Sequence, residues 1–307
     1  MSVAVNEAVE QACREGVLST ASLMVAGGAA ADAVRRAKAL PGLRVGLHLV
    51  LVDGPACLPF SMIPDLLKPS PAGGSGLVDG GAARPIPATS ANLTRRPRGI
   101  EEAKFSADQA RLGIRYFFDP RARRQMRAEI TAQFAAFAAT GLPLDHANAH
   151  KHMHLHPTVG RMMIDIGRGF GLQTVRIPSE PADTLAACGT ETDLGARAMQ
   201  RGTALLRWQA RRLRTNDHAF GIAWSGHMTA QRIVTLAANL PPGLSEIYFH
   251  PATHTDATLA QTMPGYEHAA ELQALLDPAV RDAFRREGVI LTTYGQQGHA
   301  SSPAARG

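Results

Sequence analysis

Histidine is concentrated in one short stretch, DHANAHKHMHLHP, which runs from Asp145 to Pro157. Five of the twelve histidines lie there, all at even positions: His146, His150, His152, His154 and His156. Imidazole is a common metal ligand and a proton carrier near neutral pH. Alternate residues share a face on an extended strand, so an extended run would line these imidazoles along one side. Each step along that side spans about 6.6 Å, so one ion with bonds of about 2 Å contacts at most two of them.

Two more histidines stand at positions where strands of an α/β protein carry chemistry. His48 lies in the apolar run Arg44–Val52, and His250 comes directly before Pro251 at the end of another strand-like run. In α/β barrels the carboxyl ends of the strands form the active site. We therefore expect His48, His150 and His250 to converge on one rim, although a histidine inside an apolar run is more often a core residue with satisfied hydrogen bonds.

Histidines alone leave a hydrolytic metal site incomplete, because the common arrangement adds a carboxylate and keeps positions open for water. Asp145 and Asp53 are the candidates that the sequence offers near the histidines. Histidines that do not bind the ion are left as substrate contacts, supports for the ligands or surface residues.

Helical and strand-like patterns alternate along the chain, which predicts a parallel sheet covered by helices, either open or closed as a barrel. No G-x-G-x-x-G follows the first strand and there is no Walker lysine motif, so a nucleotide-binding fold has no support. The predicted helices are Asn6–Arg14, Ala30–Leu40, Arg121–Ala139, Pro157–Phe170, Ala196–Leu213, Thr229–Asn239 and Tyr266–Leu276. The predicted strands are Leu18–Val25, Arg44–Val52, Leu144–His150, Thr174–Ile177, Ala219–Trp224, Ser245–His250 and Val289–Thr293.

The whole chain, residues 1–307, is predicted to form a single domain with a flexible insertion at residues 69–99, which are rich in Gly, Pro, Ala and Ser. No apolar stretch is long enough to cross a membrane, and the first residues lack the pattern of a signal peptide. The three cysteines are far apart in sequence, which favours a reducing compartment. We therefore expect a cytoplasmic protein.

The chain carries a net charge of +6, and arginines cluster at Arg121–Arg127 and Arg207–Arg214. The simplest interpretation of both clusters is a solvated helix face. The alternative is a surface that attracts an anionic membrane or substrate. Nucleic acid is not expected as a partner, because no basic motif interleaved with aromatic residues is present. The sequence does not decide whether the protein forms a homodimer.

Several spaced motifs resemble one known family. Gly46-Leu47-His48, the run from Asp145 to His154 and Phe249-His250-Pro251 are similar to motifs of the YdjC/ChbG carbohydrate deacetylases. Three further stretches resemble the hopanoid-biosynthesis-associated branch of that family, HpnK: residues 16–25, 113–118 and 220–226. The resemblance covers nearly all of the chain outside residues 69–99.

The resemblance implies a distorted (β/α) barrel, one divalent metal ion (magnesium or zinc) and hydrolysis of the acetamide of an N-acetylated amino sugar. It makes His48 and His150 metal ligands, and assigns His250 to acid–base work or stabilisation of the leaving group. Arg176 becomes a substrate or orienting contact, with His152 and His154 as further substrate-binding residues. One departure from the wider family is Asn148, which stands where most members have an aspartate.

A second departure concerns the start of the chain. The family opens with a strand that ends in Asp-Asp-Phe-Gly and supplies a metal ligand and the presumed base, whereas this sequence begins just after that motif. We therefore expect the first barrel strand and both aspartates to be missing. The open explanations are a start site further upstream, a truncated and impaired product, or a substitute carboxylate such as Asp53.

The function that these observations predict is metal-dependent deacetylation of an N-acetylated amino sugar. The branch implies a glycolipid substrate, such as an N-acetylglucosaminyl hopanoid, with the arginine-rich helices facing the inner membrane. Two alternatives stay open. One is an N-terminally truncated homologue that binds sugar without turnover, and the other is a histidine-rich metal-storage protein that takes several ions per chain.

Overall fold

The computed structural model describes residues 2–68, 104–191 and 194–296, with side chains of the helix at 194–209 described from residue 202 onward. The predicted insertion at residues 69–99 lies outside these ranges. The helices are α1 (Val3–Glu15), α2 (Ala30–Lys38), α3 (Gln109–Phe118), α4 (Pro120–Ala139), α5 (Pro157–Gly169), α6 (Ala182–Ala187), α7 (Leu194–Gln209), α8 (Ala230–Ala237), α9 (Ala257–Thr262), α10 (His268–Leu276) and α11 (Pro278–Arg286). The strands are β1 (Thr20–Leu23), β2 (Arg44–Leu49), β3 (Leu67–Lys68), β4 (Lys104–Phe105), β5 (Leu144–Ala149), β6 (Thr174–Val175), β7 (Arg214–Thr215), β8 (His218–Phe220) and β9 (Ser245–Ile247).

Five strands form the main parallel sheet, in the order β1-β2-β5-β6-β7. A separate parallel pair joins β8 to β9, and an antiparallel pair joins β3 to β4. The predicted parallel sheet with surrounding helices is therefore confirmed. A closed barrel is not: within the described ranges no ladder joins the main sheet to the β8–β9 pair, and β1 lies at the edge of its sheet.

The centre of the main sheet is apolar and tightly packed, as expected of parallel strands covered on both faces. Leu47 and Leu49 of β2 and Ala147 of β5 are fully buried. Gly46 allows the two strands to approach, because a Cβ there would come within 2.6 Å of the His146 ring. The sequence pattern of β2 and β5 therefore determines how closely His48 and the histidine run can approach each other.

A second core lies beneath the β8–β9 pair and is built from α8, α10 and α11, with Phe220, Ile233 and Phe284 among its buried residues. The predicted helices at 229–239 and 266–276 are present but shorter. The predicted strand Val289–Thr293 is not a strand. In this segment a side chain hydrogen-bonds to the backbone: Ser19 Oγ donates to the Thr292 carbonyl over 2.7 Å.

Cys13, Cys57 and Cys188 form no disulfide within the residues that the structure describes. In the part of the chain that the structure describes, no helix combines the length and the apolar character needed to cross a bilayer.

Candidate active site

The predicted site residues do come together at the carboxyl ends of the parallel strands. His48 lies near the end of β2, His150 directly follows β5, Arg176 directly follows β6, and His250 follows β9. All four line one cavity of about 2220 Å³, together with His152 and Tyr248. This volume exceeds the roughly 300–1,000 Å³ of a pocket for a small ligand. The cavity can therefore admit an extended substrate.

The histidine run is not one extended strand. It leaves β5 after Ala149 and turns through a 3-10 segment, His150–Leu155. Lys151 and His152 have φ values of 49° and 53°, in the left-handed region that non-glycine residues seldom adopt. The run is therefore not extended beyond β5, and the five imidazoles do not share one strand face.

The turn sends the five histidines to different places. His146 is buried on β5, where its Nε2 lies 2.9 Å from Ser22 Oγ. His150 and His152 line the cavity, while the buried His154 Nε2 donates to the Arg176 carbonyl over 3.1 Å. His156 lies beneath the aromatic rings of α3. His152 is therefore placed to contact a substrate, whereas His154 holds the backbone of Arg176.

His48 is held by Asn148, its register partner on β5. The Asn148 amide contacts His48 Nδ1 at 2.5 Å and Ser22 Oγ at 2.9 Å. One amide orientation satisfies every neighbour: Nδ2 donates to His48, and Oδ1 accepts from Ser22 and, over 3.0 and 3.1 Å, from the Arg176 guanidinium. In that orientation the proton of neutral His48 lies on Nε2. The opposite orientation would leave Nε2 free to bind a metal ion.

The spacing of the two predicted ligands suits a single ion. His48 Nε2 and His150 Nδ1 lie 3.4 Å apart, close to the separation of about 3.3 Å expected for two nitrogens at about 2.0–2.1 Å from a tetrahedral ion. No third histidine, cysteine or carboxylate joins them within the described ranges. The residues present therefore fit two positions of a metal site and leave the set incomplete.

Neither predicted substitute carboxylate completes it. Asp145 lies at the opposite end of β5, where it contacts His146 Nδ1 at 3.0 Å and accepts from the Gly295 amide. Asp53 accepts from Lys151 Nζ over 2.5 Å. Asp145 is therefore excluded as a ligand by its position, whereas Asp53 lines the cavity but is paired with Lys151.

A buried ion pair lies below the histidines. Arg176 binds both carboxylate oxygens of Glu246 on β9, and the Tyr294 hydroxyl donates to the same carboxylate. Burial raises the pKa of Glu246, but the Arg176 guanidinium outweighs it and the net shift is downward. Arg176 also lies 5.3 Å from the centre of the Tyr248 ring. Arg176 therefore joins β6 to β9 across the cavity, a role that the sequence did not reveal because Glu246 reads as an ordinary strand carboxylate.

His250 is positioned mainly through its backbone. Its amide donates to the Glu271 carboxylate over 2.5 Å, and its carbonyl accepts from His268 Nδ1 over 2.5 Å. Its ring packs between Tyr248 and Tyr266, and its buried Nδ1 has no hydrogen-bond partner in the part of the chain that the structure describes. One imidazole nitrogen is thus available for proton transfer or ligand contact.

The histidines of the cavity are kept neutral. Burial, reinforced by the positive charge of Arg176, lowers the pKa of His152 and His250 to about 4. Burial and the nearby Lys151 lower the pKa of His150 to about 4 as well. Burial, with His150 next, holds the pKa of His48 well below 6.5. At neutral pH these groups can therefore bind a cation or accept a proton.

The whole chain is similar to known carbohydrate deacetylases. A carbohydrate deacetylase of Geobacillus stearothermophilus is 25% identical over 295 residues, which cover 95% of this chain and 92% of that protein. A chitooligosaccharide deacetylase of Serratia marcescens is 24% identical over 94% of this chain and 92% of its own length.

The fold also has a solved counterpart. The crystal structure of an Enterococcus faecalis protein, described as a candidate cellobiose-phosphate cleavage protein, superposes with a TM-score of 0.63 at 18% identity. The superposition covers 95% of this chain and 93% of that protein, and it supports the fold alone. A sequence profile of the YdjC-like proteins matches residues 1–286. The chain therefore belongs to the family of YdjC-like proteins, and four of its histidines line one cavity.

Proposed function

We propose that this protein hydrolyses the acetamide of an N-acetylated amino sugar. The observation that carries the proposal is the convergence of His48, His150 and His250 on one large cavity. It agrees with the activity named for the deacetylases that align along nearly the whole chain. A water oxygen adds to the acetyl carbon, the C–N bond breaks, and acetate leaves the free amine of the sugar.

His250 is the proposed acid–base catalyst. Neutral imidazole accepts the proton that water loses on attack, and the imidazolium so formed returns it to the departing amine. The low pKa of His250 makes the neutral form the starting state. Arg176 and His152, which line the same cavity, are the proposed contacts for sugar hydroxyls and the acetyl oxygen.

His48 and His150 are the proposed ligands of one divalent cation, zinc or magnesium. Such an ion polarises a carbonyl and lowers the pKa of a bound water. The 3.4 Å between the two ring nitrogens supports the assignment. The proposal requires a third ligand that the described residues do not supply, and an Asn148 amide turned so that its oxygen accepts from His48 Nδ1.

The proposed substrate is a glycolipid, in line with the resemblance to the hopanoid-associated branch of the family. The N-acetylated sugar enters the cavity while its lipid stays at a membrane surface. The large cavity supports a substrate bulkier than a monosaccharide. A distorted barrel is the proposed fold.

Acetate release from chitooligosaccharides and from an N-acetylglucosaminyl lipid tests this function directly. We expect His250→Gln to lower kcat at least about a hundredfold, the size of one acid–base contribution. His254→Gln is the matched control, because His254 is exposed and does not line the cavity. Equal activity of the wild-type protein and His250→Gln would contradict the assignment.

The incomplete ligand set favours one alternative, a homologue that binds sugar without hydrolysing it. Calorimetric titration with a chitooligosaccharide separates the two. Binding without acetate release, with or without added zinc, would establish the alternative. Measuring the number of zinc ions bound per chain distinguishes the enzyme and the sugar-binding homologue from a metal-storage protein. A catalytic site takes about one ion per chain, whereas a storage protein takes several.

A further inference from the structure

Helix α3 carries an apolar face that points to solvent. Ile114, Phe117 and Phe118 are three and four residues apart, so they lie on one side of the helix. Ile114 is 63% exposed and Phe118 is 72% exposed, whereas Leu112 and Tyr116 on the opposite side are buried. Isolated exposed apolar residues are ordinary, but a contiguous set marks an interaction surface. We call these three residues the α3 face.

Arginines precede and follow the α3 face along the chain. Residues 109–128 contain six arginines and one carboxylate, Asp119. Arg111, Arg121 and Arg124 are exposed. Asp119 accepts from the first amides of α4 and lies 3.6 Å from Arg115, so its charge is already compensated. Among the described residues, Arg111, Arg121 and Arg124 form no ion pair. An exposed apolar helix face together with such arginines matches the apolar and the charged component of an anionic bilayer surface.

The α3 face is joined to the candidate active site. Gln109, the first residue of α3, donates to the Lys151 carbonyl between His150 and His152. The Phe117 ring lies 6.0 Å from the His156 ring at the end of the histidine run. Helix α7 contacts the same corner through Gln209, which donates to the Pro157 carbonyl, and its neighbour Trp208 is exposed. Docking through α3 would therefore place the histidine cavity beside the bilayer.

We propose that α3, with the start of α4, is the surface by which this protein docks on anionic membranes. The arginine cluster at 207–214 is not part of this membrane-binding surface. Arg207 is already bound to the carbonyls of Asn216 and Asp217, and Arg211 stacks on the Trp208 ring at 4.8 Å. Membrane docking rests on the proposed function, because an enzyme that acts on a lipid-linked sugar has to bind it at a bilayer. Vesicle binding can nevertheless be measured without any turnover.

The test is co-sedimentation of the full chain with sugar-free vesicles of phosphatidylcholine, with and without phosphatidylglycerol. We expect the wild-type protein to bind the anionic vesicles. Ile114→Glu/Phe118→Glu should bind at least about tenfold more weakly, because two apolar side chains no longer enter the bilayer and two negative charges face an anionic surface. Arg121→Gln/Arg124→Gln should weaken binding several-fold and reduce its dependence on salt.

The matched control is Val3→Glu/Ile290→Glu, which makes the same charge change at two exposed apolar residues, one on α1 and one outside any helix or strand. Circular dichroism and thermal melting establish that each variant is folded. No binding of the wild-type protein to anionic vesicles, or equal losses in the α3 and control variants, overturns the proposal. A wild-type dimer that only the α3 variant dissociates also overturns it, because the face would then bind a second copy. Acetate release from a soluble chitooligosaccharide reports separately on the proposed function.

Discussion

His48 lies on β2 and His150 directly follows β5, the strand that pairs with β2, whereas His250 follows a strand pair that stands apart from the main sheet. Around His250, buried side chains rather than strand pairing supply hydrogen bonds to the backbone. Glu180 accepts from the amides of residues 221–223, Glu271 accepts from those of Met228 and His250, and Asn216 joins Ile177 to His218.

The two sides of the cavity therefore depend on different parts of the sequence. On the β2–β5 side, small and apolar residues in two strands are enough to place the histidines. On the β9 side, the position of His250 depends on carboxylates and amides that come from distant segments. Substitutions of those side chains are therefore the sharpest way to test the difference.

The largest effect is expected for Glu246→Ala, which leaves the buried Arg176 guanidinium without its partner. Breaking a buried ion pair costs about 3–5 kcal/mol of unfolding free energy. Urea denaturation measures the loss, and Arg176→Met/Glu246→Leu should restore much of it. Glu287→Ala, which breaks an exposed pair with Arg286, should change stability by less than about 1 kcal/mol. Similar losses at both positions would remove the special role of the buried pair.

Glu271→Ala should have the next largest effect, about 1–3 kcal/mol, because two buried amides lose their acceptor. Hydrogen exchange of the Met228 and His250 amides should accelerate, while the β2 and β5 amides should keep their protection. Glu267→Ala, one turn earlier and exposed, is the control. Uniform loss of protection across both sides would contradict the division between them.

Acidification should also lower the stability of the protein. The pKa values of His150, His152 and His250 are about 4 in the folded protein against about 6.5 when unfolded. The unfolded chain therefore takes up more protons between these values, and stability falls as pH drops from 6.5 toward 4. Above pH 7 these groups contribute no slope.

Thermal melts at several pH values measure this acid limb. His250→Gln should flatten it by about as much as His150→Gln, because burial is the main cause on both sides of the cavity. A limb that stays as steep in both variants would show that other groups cause it.

The smallest expected effect concerns His48. Asn148→Asp supplies an oxygen that accepts from His48 Nδ1 in either orientation, which leaves Nε2 free for a metal ion. We expect zinc to bind about tenfold more tightly, within the range of other changes to groups that support metal ligands. Titration calorimetry measures the affinity, and nitrogen-15 NMR of the imidazoles reports the tautomer. Asn148→Ala, which removes both contacts, should not gain affinity.

The sequence predicted the β2–β5 side well and the other side poorly. His48, His150 and the flanking strands follow from a local apolar pattern, and the main parallel sheet follows from the alternation of elements. Glu246, Glu180 and Glu271 carry no local signal, because a glutamate is usually exposed wherever it lies. Their partners lie 21 to 70 residues away, so a single sequence does not reveal the pairings.

Two local errors have physical reasons as well. The histidine run has the alternating pattern of a strand, but its backbone enters the left-handed region at Lys151 and His152. Neither side chain is of a type that predicts this conformation. Helix α3 was not predicted because its aromatic and isoleucine residues favour strands. Its capping by Asp108, which accepts from Arg111, is the signal that was available.

The left-handed backbone at Lys151 and His152 has a consequence for protein engineering. Asp53, the residue that pairs with Lys151, also has a positive φ, of 45°. Three costly conformations are thus gathered at one corner of the cavity, and each costs on the order of 1 kcal/mol or more. Selection for thermostability alone would favour glycine at these positions and would thereby loosen the loop that carries His150 and His152. Directed evolution of this protein should therefore screen for turnover and stability together.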